Sequence, residues 1–212
     1  MKALRRPDQC RLYGILDAAY LGLRDPQEVV SQMLEGGVDV VQVRAKDWEM
    51  DEVAALAKAV LGVTRPAGVP LVINDHSAVA ASVGAEGVHV GQEDGSVSEA
   101  RRVAGATCWV GKSTHSLEQA IAAQEEGADY IGVGPIFATP TKPDYKPVGL
   151  ELVRSVASRV TVPFFCIGGI KSGNAAEVLR AGAQRIVVVS GILQADDIAG
   201  YCRELRRLLD EK

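Results

Sequence analysis

Short apolar runs rich in β-forming residues recur along the chain and alternate with stretches whose apolar residues have helical spacing. Several runs are continuously apolar, which is typical of parallel strands covered by helices on the outside. We therefore predict eight strands, at residues 11–16, 38–43, 70–73, 87–90, 108–111, 130–133, 163–167 and 185–189.

Eight helices are predicted between and after these strands. The first begins after Asp25, an N-cap residue that is followed by Pro26 at the first helical position. The fifth opens at Ser116 with Gln119 three residues later, the pattern of a capping box whose two side chains satisfy each other's backbone donors. The remaining helices are predicted at 48–60, 76–83, 97–104, 150–156, 175–181 and 196–209.

A weak internal repeat supports a regular architecture. Gly36, Gly84, Gly127 and Gly182 each follow a predicted helix and precede an apolar strand by two or three residues. Strict alternation of strand and helix indicates a parallel sheet, and eight units predict a (β/α)8 TIM barrel that forms a single domain over residues 1–212. A doubly wound open sheet is the alternative, but its usual five or six strands would leave some runs unexplained.

Composition narrows the class of protein. A formal net charge of −4 without a basic stripe gives no reason to expect nucleic acid, and no apolar run is long enough to cross a bilayer. The first residues lack the apolar core of a secretory signal, so we expect a cytoplasmic protein. Four widely spaced cysteines, Cys10, Cys108, Cys166 and Cys202, are expected to be reduced and mostly buried. Self-association is left open.

In a barrel, functional groups lie at the carboxyl ends of the strands. After the second strand, Gln42, Arg44 and Lys46 alternate, so their side chains share one face of the extended segment. An arginine and a lysine without an acidic partner inside the motif describe a seat for an anion. A solvated strand end is an equally open interpretation of this segment alone.

Acidic side chains follow the next two strands. Asp75, beside Asn74, and Asp94 are carboxylates from adjacent strand ends, and Mg²⁺ commonly binds one or two carboxylates together with substrate phosphates. The alternative is that each aspartate caps the helix that follows it. After the fifth strand, Ser113 is placed to donate to a ring or a phosphate. We assign no catalytic role to His115, expect His89 to be a satisfied interior side chain, and keep His76 as a minor ligand contact.

A long proline-rich segment follows the sixth strand and regains helical character only near Gly149. Loops of this length usually carry function, and Thr139, Thr141 and Lys142 are donors suited to phosphate. Gly168-Gly169 and Ser190 end the last two strands, where barrels of this kind often bind phosphate. The sum is two anion seats. The cationic one, with Arg44, Lys46, Lys142 and a metal, suits a diphosphate, and the neutral one, with Thr139, Thr141, Gly169 and Ser190, suits a monophosphate.

These residues together resemble the thiamine phosphate synthase family. The matching segments are Val-Gln-Val-Arg-Ala-Lys-Asp, Val-Ile-Asn-Asp, Gly-Val-His-Val-Gly-Gln-Glu-Asp, Gly-Lys-Ser-Thr-His, residues 128–142, Pro-Val-Gly-Leu-Glu, Ile-Gly-Gly-Ile and Val-Val-Val-Ser. The resemblance implies an enzyme that joins hydroxymethylpyrimidine diphosphate to a thiazole phosphate, carboxylated or not, and releases diphosphate by dissociative loss. One departure is Ala138, where the family often has proline.

The resemblance also implies roles for individual residues. The pyrimidine diphosphate would contact Gln42, Val43, Arg44, Ala45, Lys46, Asn74, Ser113 and Lys142, of which Arg44, Lys46, Ser113 and Lys142 are catalytic. Mg²⁺ would be held by Asp75 and Asp94. The thiazole phosphate would contact Thr139, Pro140, Thr141, Gly169, Val189 and Ser190. The alternatives are a thiazole tautomerase of the same barrel family, which has no diphosphate to bind, and a ligand-binding barrel without turnover.

Overall fold

The computed structural model describes residues 4–139 and 146–211, and these form a closed barrel of parallel strands in sequence order, with the last strand paired to the first. Closure of the sheet excludes the doubly wound alternative and confirms the predicted (β/α)8 architecture. The strands are β1 Leu12–Asp17, β2 Val40–Arg44, β3 Leu71–Asn74, β4 Gly87–Val90, β5 Trp109–Thr114, β6 Tyr130–Val133, β7 Phe164–Cys166 and β8 Ile186–Val188.

Helices cover the outside of the barrel. They are α1 Pro26–Glu35, α2 Met50–Ala67, α3 Ser77–Val83, α4 Val97–Ala104, α5 Leu117–Glu125, α6 Gly149–Arg159, α7 Ser172–Arg180, α8 Ser190–Leu193 and α9 Ile198–Asp210. Within the described ranges, none of them combines the length and the apolar character needed to span a bilayer.

Local signals in the sequence explain most helix starts. Asp25 caps α1 by accepting a hydrogen bond from Gln27 N at 3.0 Å, and Ser116 caps α5 by accepting from Gln119 N at 3.2 Å. The reciprocal half of the predicted capping box is wrong. The Gln119 side chain accepts instead from His115 N, one residue earlier, at 2.7 Å.

Several elements extend beyond their predicted ends, among them β5 and α2. β5 continues to Thr114, because Lys112, Ser113 and Thr114 pair with β6 although they are polar. Helix α2 passes its predicted end at residue 60 and reaches Ala67, since Leu61 and Thr64 are buried on its inner face. The short helix α8 was not predicted.

Alternation along each strand divides the core into two layers. Val41 and Val43 of β2 pack outward against the helices in the larger layer, whereas Val40 points into the barrel. The interior layer is small and aromatic, and its members are Cys10, Tyr13, Ile15, Val40, Val72, Tyr130, Phe165 and Val187. This interior layer forms the floor on which the strand ends are arranged.

A buried carboxylate ties the amino-terminal segment and α9 to the barrel. Asp39 precedes β2, its side chain is 5% exposed, and it accepts from Arg5 Nη1 at 2.7 Å and Arg206 Nη1 at 2.6 Å. It also accepts from the backbone N–H groups of Arg11 and Leu12. Replacing Asp39 with asparagine is expected to lower the free energy of unfolding by about 3 kcal/mol, because the buried negative charge that Arg5 and Arg206 share is removed, although Arg206 keeps Asp210. Urea denaturation measures this change.

The matched control is the exposed ion pair between Arg203 and Glu35, whose side chains are 50% and 69% exposed. Exposed pairs of this kind contribute about 0–1 kcal/mol, so Glu35→Gln is expected to leave the unfolding midpoint nearly unchanged. Equal changes in the free energy of unfolding for the two substitutions would show that Asp39 does not stabilise the packing of the amino-terminal segment and α9 on the barrel.

Candidate active site

A cavity of about 380 Å³ lies at the carboxyl ends of the strands. Side chains predicted for the two anion seats and the metal come together around it, although they are far apart in sequence. The predicted residues that line it are Gln42, Arg44, Lys46, Asn74, Asp75, Asp94, Ser113, Thr139, Gly169, Val189 and Ser190.

Among the described residues, Val43, Ala45 and His76 were predicted as contacts but do not line this cavity. Val43 and Ala45 alternate with the lining residues of β2 and pack in the outer core, where they are 0% and 5% exposed. His76 is the N-cap position of α3 rather than a lining residue. Three predicted residues, Pro140, Thr141 and Lys142, fall outside the described part of the chain.

The cationic side of the cavity is held by an acid that sequence reasoning missed. Arg44 at the end of β2 donates through Nη1 to Asp17 Oδ2 at 2.5 Å, and the two side chains are 15% and 2% exposed. Asp17 ends β1, so it lies outside the motif of β2 in which no acidic partner was found. An aspartate directly after a buried apolar strand was the available signal. The pair fixes the guanidinium at the rim of the cavity.

Asp75 is not used as a helix cap. The N-cap position of α3 is His76, and Asp75 adopts a left-handed backbone conformation with φ of 63°, which is uncommon for a residue with a side chain. Its Oδ2 accepts from Asn74 Nδ2 at 2.5 Å, and its backbone N–H donates to His89 O at 2.8 Å. The capping alternative is therefore wrong for Asp75, whose carboxylate lines the cavity.

Asp94 is likewise not a cap, because Ser96 caps α4 by accepting from Glu99 N at 3.1 Å. Asp94 Oδ2 accepts from Gly91 N at 3.0 Å, which folds its side chain back over the loop after β4. A Cβ at Gly91 would lie 2.4 Å from that oxygen, so a larger residue at position 91 would displace the Asp94 carboxylate. Both aspartates are thus carboxylates that line the cavity without helix-capping duties.

The donor set fits a magnesium ion that shares its ligands with a substrate. Asp75 and Asp94 supply hard oxygen atoms, and Mg²⁺ is usually bound by one or two carboxylates plus phosphates and water. Among the residues that the structure describes, no group of three or more His, Cys, Asp or Glu side chains is arranged to hold a metal by itself. An ion held by Asp75 and Asp94 would complete its coordination with oxygen atoms from a ligand or from water.

A buried lysine organises the loop that carries Asp94. Lys112 of β5 is 7% exposed and points away from the cavity, and its Nζ donates to Gly91 O at 2.8 Å and Gly95 O at 2.6 Å. These two carbonyl groups bracket Asp94. Gln92 of the same loop donates to Ser113 O, so the loop is joined to β5 at two points.

Replacing Lys112 with methionine is expected to loosen the loop that carries Asp94, because two charge-assisted hydrogen bonds are lost, and so to weaken about tenfold any Mg²⁺ binding in which Asp94 takes part. Turnover at saturating Mg²⁺ should change much less. A titration of activity with Mg²⁺ and hydrogen exchange over residues 91–95 measure the two effects. The exposed Lys58 on α2 provides the control, since Lys58→Met should alter neither. Unchanged hydrogen exchange over residues 91–95 in Lys112→Met would contradict the proposed stabilisation of this loop by Lys112.

The neutral side of the cavity is built from closely packed backbone. Ile136 N donates to Ile167 O at 2.8 Å and Phe137 N to Gly168 O at 3.0 Å, which joins the segment after β6 to the end of β7. Cβ atoms at Gly168 and Gly169 would lie 2.4 Å from Pro135 Cα and 2.6 Å from Ala138 O. Among the described residues, the N–H groups of these two glycines donate to no main-chain carbonyl.

The aromatic floor of the cavity was also missed. Tyr13 and Tyr130 are each 2% exposed and pack edge-on against Phe165, with ring centroids 5.4 and 5.5 Å from it. The available signal for Tyr13 was its position in β1, where it shares the inward face with Ile15 and Asp17. His89 is confirmed as a satisfied interior side chain, with Nδ1 3.2 Å from Tyr130 Oη and Nε2 2.9 Å from Ser113 Oγ.

The four cysteines are buried, as predicted, and none of them forms a disulfide. Burial raises the pKa of Cys10 and Cys202 to about 12 and that of Cys108 to about 11. These thiols stay protonated at neutral pH, which makes them poor nucleophiles.

Comparisons with known proteins agree with one another. The family model described as thiamine monophosphate synthase matches residues 12–192. The thiamine-phosphate synthase of Chloroflexus aurantiacus is 46% identical over 200 residues, which covers 94% of this chain and 92% of that protein. That of Thermus thermophilus is 50% identical over 177 residues, covering 83% and 85%.

Solved structures give the same result. The thiamine phosphate pyrophosphorylase of Pyrococcus furiosus superposes with a TM-score of 0.89 at 35% identity and covers 97% of this chain and 98% of its own. The 3-hexulose-6-phosphate synthase of Salmonella typhimurium, at 18% identity and a TM-score of 0.73, covers 95% of this chain and 99% of its own. That second likeness concerns the barrel fold alone.

Proposed function

The chain belongs to the thiamine monophosphate synthase family, and from this we propose that its cavity joins a pyrimidine diphosphate to a thiazole phosphate. The substrates are 4-amino-5-hydroxymethyl-2-methylpyrimidine diphosphate and 4-methyl-5-(2-phosphoethyl)thiazole or its carboxylated form. The products are thiamine phosphate and diphosphate. The observation that carries the proposal is the meeting of Arg44, Lys46, Asp75 and Asp94 with Ser113, Gly169 and Ser190 around one cavity.

The reaction needs a good leaving group and little else. The bond between the pyrimidine methylene and the diphosphate oxygen breaks, and its electron pair leaves with the diphosphate. The electron-rich aminopyrimidine stabilises the cation, and the thiazole nitrogen then donates its lone pair to form the new carbon–nitrogen bond. The thiazole is already nucleophilic, so no general base is required. The protein contributes charge neutralisation and positioning.

Each side of the cavity has its own task. Arg44, fixed by Asp17, and Lys46 bind the diphosphate and stabilise the charge that develops on it as the bond breaks. Asp75 and Asp94 would hold Mg²⁺, which supplies further neutralisation of the leaving group. Lys142, outside the described residues, is assigned to the same side from the family resemblance.

The opposite side positions the nucleophile. Thr139, Gly169, Val189 and Ser190 line the cavity and offer hydroxyl and backbone donors to the thiazole phosphate. Pro140 and Thr141 complete this seat in the proposal, again from the resemblance. We assign the reaction to the cytoplasm, where the free thiols of the chain remain reduced.

One assay tests the function. The purified protein is incubated with both substrates and Mg²⁺, and diphosphate and thiamine phosphate are quantified together. The expected result is equimolar formation of both products, with loss of activity when the metal is chelated. Binding of the substrates without diphosphate release would instead indicate a ligand-binding barrel. Isomerisation of a thiazole carboxylate alone would indicate a tautomerase, a function for which the cationic side of the cavity has no use.

A further inference from the structure

Five polar side chains form one continuous series of contacts across the barrel interior. Gln42 Nε2 donates to Tyr13 Oη at 2.8 Å, and Tyr13 Oη lies 3.1 Å from Tyr130 Oη. Tyr130 Oη is 3.2 Å from His89 Nδ1, and His89 Nε2 is 2.9 Å from Ser113 Oγ. We propose that this series has one fixed direction, running from Gln42 to Ser113, and that it compels the Ser113 hydroxyl to donate its hydrogen to a ligand.

The direction of the hydrogen bonds follows from Gln42, the first residue of the series, whose side-chain amide nitrogen can only donate. Because Gln42 presents its amide nitrogen to Tyr13, the Tyr13 oxygen is an acceptor there and its own hydrogen is directed to Tyr130. The Tyr130 hydroxyl then donates to His89 Nδ1. A neutral imidazole with an accepting Nδ1 carries its proton on Nε2. His89 Nε2 therefore donates to Ser113.

Ser113 ends the series at the cavity wall. Within the part of the chain that the structure describes, His89 is the hydrogen-bond partner of its hydroxyl oxygen. Since the hydroxyl accepts from His89, its hydrogen is left to point toward an acceptor on a bound molecule. If the cavity has the proposed function, a donating Ser113 hydroxyl selects a substrate that presents an acceptor atom to it. His89, Tyr130 and Tyr13 are then positioning residues, because they act through Ser113.

Burial protects the direction. Tyr13 and Tyr130 are each 2% exposed, and burial raises the pKa of both phenols above their ordinary value. A raised pKa keeps each hydroxyl protonated at neutral and moderately alkaline pH, so each has a hydrogen to pass on. Edge-on packing against Phe165 holds both rings in place.

The backbone makes room for the central contact. A Cβ at Gly111 would lie 2.2 Å from Tyr130 Cζ and 2.5 Å from His89 Nδ1, distances that no side chain can occupy. Gly132 on β6 faces the same imidazole, and a Cβ there would be 3.4 Å from His89 Cε1. Glycine at position 111 of β5 therefore allows Tyr130 and His89 to approach within hydrogen-bonding distance.

Nitrogen NMR of the unliganded protein, labelled with ¹⁵N at its three histidines, tests the proposal directly. The spectrum of His89→Gln identifies the His89 signals. The expected result for the wild type is a neutral imidazole protonated on Nε2. A proton on Nδ1 would overturn the proposal, because Ser113 would then have to donate to His89.

Two nearly isosteric variants separate direction from simple packing. In Tyr13→Phe, Tyr130 still donates to His89, so the Nε2 proton should remain. If the series ran from Ser113 to Gln42 instead, Tyr130 would donate to Tyr13. Tyr13→Phe would then remove the acceptor of the Tyr130 hydrogen and change which imidazole nitrogen of His89 carries the proton. In Tyr130→Phe the donor to Nδ1 is lost, so the single tautomer should give way to a mixture. A single Nε2-protonated species in Tyr130→Phe would also overturn the proposal.

Kinetics give the second readout. Tyr130→Phe should lower kcat/KM about tenfold, the size of one lost hydrogen bond, and Tyr13→Phe should lower it by a smaller factor. Equal kcat/KM losses in the two variants would contradict the direction. The NMR result does not depend on turnover. A protein with an Nε2-protonated His89 but without diphosphate release would refute the proposed function and leave the direction standing.

Discussion

Replacing Arg44 with alanine is expected to lower turnover about a hundredfold to a thousandfold, the usual cost of removing one group that stabilises developing negative charge. The same substitution should destabilise the protein by about 3–5 kcal/mol, because Asp17, 2% exposed, is left as a buried charge without its partner. Steady-state kinetics of diphosphate release and urea denaturation measure the two losses separately.

A double substitution distinguishes them. Asp17→Asn combined with Arg44→Ala removes the unpaired carboxylate and should restore most of the stability, while turnover stays low. Asp17→Asn alone keeps the guanidinium but frees it from its anchor, so its turnover should fall less than that of Arg44→Ala. Near-normal turnover in Arg44→Ala would show that the cationic side of the cavity does not bind the leaving group.

Replacing Asp75 with asparagine is expected to reduce Mg²⁺-dependent turnover by at least about a hundredfold, since one of the two carboxylates assigned to the metal is lost. The fold should be retained, because asparagine tolerates the left-handed conformation at this position. A titration with Mn²⁺ in the presence of diphosphate, followed by electron paramagnetic resonance, provides a readout that is independent of activity. It should show that the variant binds Mn²⁺ more weakly than the wild type does.

Alanine at the same position is the companion variant. Asp75→Ala should be as inactive as Asp75→Asn but less stable by about 1–2 kcal/mol, since alanine adopts a φ of 63° only with strain. The difference in unfolding free energy between the two variants isolates the backbone cost from the charge. Near-normal turnover in both would exclude Asp75 as a metal ligand.

The apolar pattern predicted the barrel well because parallel strands covered by helices are continuous in hydrophobicity, whichever face each residue uses. Polar residues inside a strand weaken that signal. Lys112 and Ser113 were therefore read as lying beyond β5, although they pair with β6. The helix α2 continued past its predicted end because burial of Leu61 and Thr64 outweighs the neighbouring Gly62 and Pro66.

The site was predictable where a residue's own strand places it, and less so where a partner comes from another strand. Gln42, Arg44 and Lys46 alternate along one segment, and all three line the cavity. The anchoring of Arg44 by Asp17 depends on the register between β1 and β2, which no local spacing encodes. The contact between Tyr130 and His89 likewise depends on two strands separated by β5.

The glycine pair after β7 restricts how this enzyme can be altered in the laboratory. Because Cβ atoms at Gly168 and Gly169 would lie only 2.4 Å from Pro135 Cα and 2.6 Å from Ala138 O, any side chain there would push apart the two walls of the cavity. Randomised libraries aimed at new nucleophiles should return glycine at both positions. Tolerated variation is expected at Val189, which lines the same cavity. Substitutions at Val189 could then broaden the range of substrates without separating the segment after β6 from the end of β7.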